Sequence, residues 1–91
     1  MTWISARSAL KTVVSMVSKL EDGKSLTIES FKRDRWVKLS KKGQRVIIEE
    51  RGFNDNKIEV MVDDLSHVLK EIFEREFPRS HQLRMSVSKE S

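Results

Sequence analysis

The sequence predicts an α+β domain of two layers, in which an N-terminal helix, a four-stranded antiparallel meander and a C-terminal helix follow one another. Apolar residues recur at spacings of three and four towards both ends of the chain, which is the period of a helix that covers a core. Between these segments apolar and polar residues alternate, as in strands with one buried face. The connections between the strands are short, so neighbouring strands are expected to run antiparallel. Both helices then cover the apolar face of the sheet.

The first helix is predicted over residues 3–20. Its apolar stripe consists of Ala6, Ala9, Leu10, Val13, Val17 and Leu20. Thr2 or Ser5 is suited to cap its start, and Gly23 is suited to the left-handed conformation that follows its end. Trp3 is expected to pack at the junction between this helix and the sheet.

The four strands are predicted where the alternation is clearest, at residues 24–31, 35–40, 44–51 and 57–62. Gly43 lies in the tight connection between the second and third strands, where it is expected to adopt a positive φ. One face of this sheet is apolar and is expected to receive the helices; it carries Leu26, Ile28, Val37, Leu39, Val46, Ile48, Ile58, Val60 and Val62.

The second helix is predicted over residues 64–77, with Asp63 as its N-cap and Pro78 as the residue that ends it. We therefore place a single domain in residues 1–78 and a polar, flexible tail in residues 79–91. The tail has one alternative interpretation, as an additional edge strand, because of the alternation of Leu83, Met85 and Val87.

Several functional classes are disfavoured by what the sequence lacks. It contains no Cys, no apolar run near the roughly 20 residues that cross a bilayer, and no pattern typical of a signal peptide. His67 and His81 lack the spaced partners of a metal site, and no nucleophile motif or glycine-rich phosphate loop is present. We expect an intracellular protein, in the cytoplasm or nucleus, that is not an enzyme and has no membrane contact, metal, cofactor or small-molecule substrate.

The segment from residue 24 to residue 51 is the most informative, because it contains nine Lys or Arg residues against four acidic residues. Alternation places rings and cations together on the sheet face that the helices leave uncovered. This combination suits single-stranded DNA or RNA, because bases stack on aromatic rings and cations attract phosphates. The candidate binding residues are Phe31, Lys32, Arg33, Arg35, Trp36, Lys38, Lys41, Lys42 and Arg45.

A protein-interaction module is the alternative interpretation of the same face. Phe31, Trp36, Ile47 and Met61 are more apolar than a typical free surface, so they are also suited to a homodimer or partner interface. A homodimer is expected in either case, because a chain of 91 residues buries only a modest core.

The predicted order of a four-stranded meander and one long helix resembles the fold of the single-stranded-DNA-binding transcriptional regulators. This group includes the Whirly proteins, the purine-rich-element-binding (Pur) repeats and the transcriptional positive cofactor family. In a Pur repeat, alternating aromatic and basic residues lead through a Lys-Gly-Arg-like turn into the next strand. The similar segment here is Trp36-Val37-Lys38-Leu39-Ser40-Lys41-Lys42-Gly43-Gln44-Arg45-Val46-Ile47-Ile48-Glu49-Glu50.

The resemblance covers residues 25–77 and implies a regulator of transcription whose exposed sheet face and loops contact nucleic acid. Carried over residue by residue, it places on this face or at its rim Trp36, Lys38, Lys41, Lys42 and Arg45. It also implies dimers formed through the fourth strand and the helix after it. The N-terminal helix departs from the minimal unit of this group, and three acidic residues dilute the basic face, namely Glu29, Glu49 and Glu59.

Overall fold

The computed structural model describes residues 2–30, 34–52, 55–77 and 81–89. Within these residues the elements follow the order β1 (Thr2–Ser5), α1 (Ala6–Ser18), β2 (Lys24–Glu29), β3 (Trp36–Lys42), β4 (Arg45–Arg51), β5 (Asn56–Met61), α2 (Leu65–Glu76) and β6 (Gln82–Lys89). A 3-10 turn, Val62–Asp64, connects β5 to α2.

All six strands form one sheet in the order β1-β6-β2-β3-β4-β5, and every neighbouring pair is antiparallel. The α+β class is therefore confirmed. The prediction of a four-stranded meander was wrong, because the meander of β2 to β5 is extended by two further strands. The chain returns after α2 to place β6 beside β2, and β1 pairs with the other side of β6.

The strand β6 forms because its alternating apolar residues complete the core. Leu83 and Met85 are 1% and 7% exposed, and both face the helices. Met85 lies opposite Ile28 of β2, so the two side chains share the same face. The sequence-based assignment placed these residues in a polar tail, yet β6 is an internal strand of the sheet rather than an edge strand.

The strand β1 has only four residues, which is too short for alternation to be recognised before the helical pattern begins. The predicted helix start at residue 3 is consequently wrong, and α1 begins at Ala6. Ser5 caps this helix as expected, since its side-chain oxygen accepts a hydrogen bond of 3.2 Å from the Arg7 N–H.

Both helices pack on the same face of the sheet and on each other. Their buried residues meet those of β2, β3, β4 and β6 in a single core. The buried apolar residues are Ala9, Val13, Val17, Leu26, Ile28, Val37, Leu39, Val46, Ile48, Leu65, Leu69, Ile72, Phe77, Leu83 and Met85. Asp63, which we predicted to be the N-cap of α2, lies inside the 3-10 turn, so that prediction was wrong. In the described part of the chain, no helix has the length and apolar character needed to cross a membrane.

An ion pair with one buried partner lies at one end of the core. Arg75 of α2 donates from Nε and Nη2 to the two carboxylate oxygens of Glu50, each at 2.7 Å. Glu50 is 1% exposed, whereas the Arg75 side chain is 32% exposed. The hydrogen bonds from Arg75 hold the pKa of Glu50 below its usual range, despite the opposing effect of burial. This bidentate ion pair links α2 to β4.

Candidate functional site

The sheet face opposite the helices carries both aromatic rings and cations; we call it the open face. Strand alternation and register assign to it the side chains of every second residue, and directly paired residues share a face. Its members are Trp3, Ser5, Ser25, Thr27, Glu29, Trp36, Lys38, Ser40, Lys42, Arg45, Ile47, Glu49, Arg51, Lys57, Glu59, Met61, Gln82, Arg84, Ser86 and Ser88.

One row of this face crosses five strands and contains both tryptophans of the chain. Along the row, Trp3 of β1 lies opposite Arg84 of β6, which lies opposite Glu29 of β2. Glu29 lies opposite Trp36 of β3, and Trp36 lies opposite Arg51 of β4. We call these five residues the tryptophan row. Three inter-strand distances separate its two rings, which corresponds to about 14 Å.

The guanidinium of Arg84 lies over the ring of Trp3, with the carbon Cζ 5.3 Å from the ring centroid. This is the geometry of a cation–π contact. Trp3 is 48% exposed, so one end of the row presents an accessible ring beside a positive charge. Trp36 is half-buried, and its neighbour Arg51 is exposed.

The open face has a net positive charge. Among the described residues, its basic side chains are Lys38, Lys42, Arg45, Arg51, Lys57 and Arg84, and its acidic side chains are Glu29, Glu49 and Glu59. Six positive and three negative side chains correspond to a net charge of +3. Two of the basic side chains have acidic neighbours: Arg45 Nη1 lies 2.9 Å from Glu59 Oε1 on the adjacent strand, and Arg51 Nη1 lies 3.9 Å from Asp55 Oδ2.

Four of the predicted binding residues lie on the open face, namely Trp36, Lys38, Lys42 and Arg45. Trp36 and Lys38 are half-buried among their neighbours, whereas Lys42 and Arg45 are exposed. Lys42 and Arg45 flank the β3–β4 turn, in which Gly43 has the expected positive φ of 63°. The structure therefore brings these four residues to one surface.

Two other predicted residues lie on the helix side of the sheet instead. Lys41 Nζ donates to the Ser18 carbonyl oxygen at 2.8 Å, at the end of α1. Arg35 Nη1 donates to the Glu76 carbonyl oxygen at 3.2 Å, at the end of α2. Cations at these positions satisfy carbonyl groups that a helix leaves without an internal partner, and they complement the negative end of its dipole. In this structure Arg35 and Lys41 therefore stabilise the two helix ends.

The remaining predicted residues, Phe31, Lys32 and Arg33, lie outside the described residues. Phe53 also lies outside the described residues.

The sequence-based prediction missed three members of the tryptophan row, namely Trp3, Arg84 and Arg51. Trp3 and Arg84 belong to β1 and β6, the two strands that were not recognised, so nothing in the sequence aligned them with Trp36. The expectation that Trp3 plugs the junction between helix and sheet is wrong, because this residue lies on the open face. Arg51 was recognisable from its place at the end of an alternating strand.

The segment that resembles a Pur repeat forms β3, the turn and most of β4. Within it, Trp36, Lys38 and Arg45 share the open face. The resemblance itself stays a prediction, because comparison of the chain with known protein families, with curated proteins and with solved structures found no match.

Proposed function

We propose that this protein is a non-enzymatic nucleic-acid-binding domain whose open face binds single-stranded DNA or RNA. The observation that carries the proposal is the tryptophan row, in which each ring lies opposite a guanidinium on a face of net positive charge. Rings offer stacking surfaces to unpaired bases, and the surrounding cations attract the phosphates between them. A duplex hides its base faces, so a surface that binds through stacking favours single strands.

The geometry suggests a path for the bound strand. The two rings are separated across the sheet strands rather than along one of them, by about 14 Å. A single strand that contacts both Trp3 and Trp36 therefore crosses β6 and β2. Towards β5 it then meets Arg51 and Lys57, which are both exposed.

The alternative of a protein interface has less support, because the apolar side chains of the open face do not form a patch. Trp3 and Met61 are its two exposed large apolar residues, and they lie on the opposite edge strands β1 and β5. Two rows lie between them. The first consists of Ser86, Thr27, Lys38, Glu49 and Lys57, and the second of Ser88, Ser25, Ser40, Ile47 and Glu59. The core of a protein interface is typically depleted of charged residues, and this region of the face is not.

Replacing Trp36 or Trp3 with Ala is expected to weaken binding of a single strand about 5- to 150-fold, because each ring stacks a base for about 1–3 kcal/mol. The measurement is fluorescence anisotropy with a labelled mixed-sequence single-stranded oligonucleotide. Val87→Ala is the matched control, since Val87 is 49% exposed but lies on the helix side of β6. Variants that fold normally and bind as tightly as the control would contradict the role of the rings.

The affinity is also expected to fall with salt concentration, with a slope of log K against log salt of about −0.7 for each phosphate neutralised on a single strand. Lys42→Gln should reduce the magnitude of this slope by about 0.7, because it removes one exposed cation of the open face. Lys11→Gln removes an exposed cation from α1 and should leave the slope unchanged. If the two variants had equal slopes, Lys42 would not contact a phosphate in the complex. An affinity independent of salt concentration would contradict the electrostatic mechanism.

A further inference from the structure

Glu29 is the acidic member of the tryptophan row, and phosphate binding does not explain its presence there. Its side chain is half-buried on the open face, between Arg84 of β6 and Trp36 of β3. Among the residues that the structure describes, none forms a hydrogen bond or an ion pair with its carboxylate. A carboxylate at this position reduces the attraction of the face for phosphates, so a contribution of Glu29 to binding requires contact with another part of a nucleotide.

We infer that Glu29 selects bases that carry an exocyclic amino group, which are cytosine, adenine and guanine, against thymine and uracil. This inference rests on the proposed function. An ionised carboxylate only accepts hydrogen bonds. Each of the three favoured bases offers it an amino donor, as in the pairing of acidic side chains with the N4 amino group of cytosine.

The position of Glu29 beside a stacking ring makes this contact geometrically direct. A base that stacks on the Trp36 ring extends beyond β3, so its edge lies over the neighbouring strand, about 4.8 Å away. On the β2 side, the residue directly opposite Trp36 is Glu29. The carboxylate therefore lies where the edge of a stacked base arrives, while the exposed cations Lys42 and Lys57 can contact the phosphates.

Thymine and uracil are disfavoured at this position for an electrostatic reason. Where cytosine presents the N4 amino group, uracil presents the O4 carbonyl oxygen. Two acceptors then face each other, and the one donor on this edge of uracil, N3–H, is flanked by two carbonyl oxygens that the carboxylate repels. Guanine has an amino donor like cytosine, although its strong self-association makes it a poor probe.

The test compares two oligonucleotides of equal length, one of deoxycytidine and one of deoxyuridine, by fluorescence anisotropy at neutral pH. These pyrimidines have the same ring size and both lack the thymine methyl group, so they differ in the groups that Glu29 would meet. The wild-type protein is expected to bind the deoxycytidine strand about 5- to 10-fold more tightly, the discrimination of one modest base contact.

Glu29→Gln should reduce this ratio to near one, because an amide both donates and accepts and so pairs with either base. Glu49→Gln is the matched control, since Glu49 is also half-buried on the open face but lies opposite Lys38 and Lys57, outside the tryptophan row. Both variants remove one negative charge, so both should raise the affinity for the deoxyuridine strand. Only Glu29→Gln should change their ratio.

The outcomes separate this inference from the proposed function on which it rests. If the wild-type protein binds both strands equally, or keeps its preference in Glu29→Gln, the role of Glu29 is overturned while salt-dependent binding through the tryptophans stands. If neither strand binds at low salt, both proposals fail. Thermal unfolding of each variant, followed by circular dichroism, verifies that the compared proteins are folded.

Discussion

Replacing Leu83 with Ala is expected to destabilise the protein by about 2–5 kcal/mol, the range for removing a fully buried Leu side chain from a core. Leu83 is 1% exposed and belongs to β6, which joins β1 to the rest of the sheet. The substitution therefore leaves a cavity beneath the helices and weakens the attachment of β1 as well. The free energy of unfolding, measured by urea denaturation, provides the test.

Val87→Ala is the control for this experiment, because Val87 lies on the same strand and the same face but is 49% exposed. This substitution should lower the free energy of unfolding by less than about 0.5 kcal/mol, as is usual for a surface substitution. If Leu83→Ala were no more destabilising than Val87→Ala, then β6 would not be part of the core. Residues 82–89 would then behave as the flexible tail that composition predicts.

Replacing Arg75 with Ala is expected to destabilise the protein by about 3–5 kcal/mol at neutral pH, because it leaves the Glu50 carboxylate buried without its cation. Arg45→Ala is the matched control. It also breaks an Arg–Glu pair with a short contact of 2.9 Å, but both side chains are at least half exposed. Exposed pairs of this kind contribute about 1 kcal/mol or less.

The cost of Arg75→Ala should depend on pH in a defined direction. In the wild-type protein the pKa of Glu50 is lowered by the hydrogen bonds from Arg75, so the ion pair stabilises the fold above the unfolded pKa of about 4.3. That contribution is lost as the pH falls through the lowered pKa of the folded state. In the variant, burial without a cation raises the pKa of Glu50 instead, and protonation relieves the buried charge.

The difference in unfolding free energy between Arg75→Ala and the wild-type protein should therefore be largest near neutral pH and should shrink as the pH approaches 4. Urea denaturation at a series of pH values measures it. A difference that stays constant over this range would show that the loss of packing, rather than the buried charge of Glu50, determines the cost.

Much of the fold was predictable from local pattern. Alternation identified β2, β3, β4 and β5 to within a few residues, and spacings of three and four identified both helices. The sequence also indicated Ser5 as one of two candidate helix caps and predicted Gly43 as a turn residue with positive φ. These features depend on residues close to one another in the chain, which is why a single sequence sufficed to predict them.

The strands β1 and β6 were not predictable in the same way, because their pairing depends on distant residues. Thr2 lies opposite Met85, across more than eighty residues of sequence. A segment of four residues has too few positions to display a period, and Gln82–Lys89 alternates in a polar context that also suits a tail. Only the apolar surface of α1, α2 and β2, once assembled, makes burial of Leu83 and Met85 favourable.

The same distinction between local pattern and distant pairing applies to the candidate site. The sequence by itself suggested the partner class we propose. It also placed Trp36, Lys38 and Arg45 on one face and Lys42 at its rim, because alternation within and across adjacent strands fixes which face a side chain occupies. Only the tertiary structure decided that Trp3 and Arg84 join them, and that Arg35 and Lys41 serve the helix ends instead. The physical reason is that residues become neighbours across a sheet through strand pairing and burial, which depend on the whole assembled core.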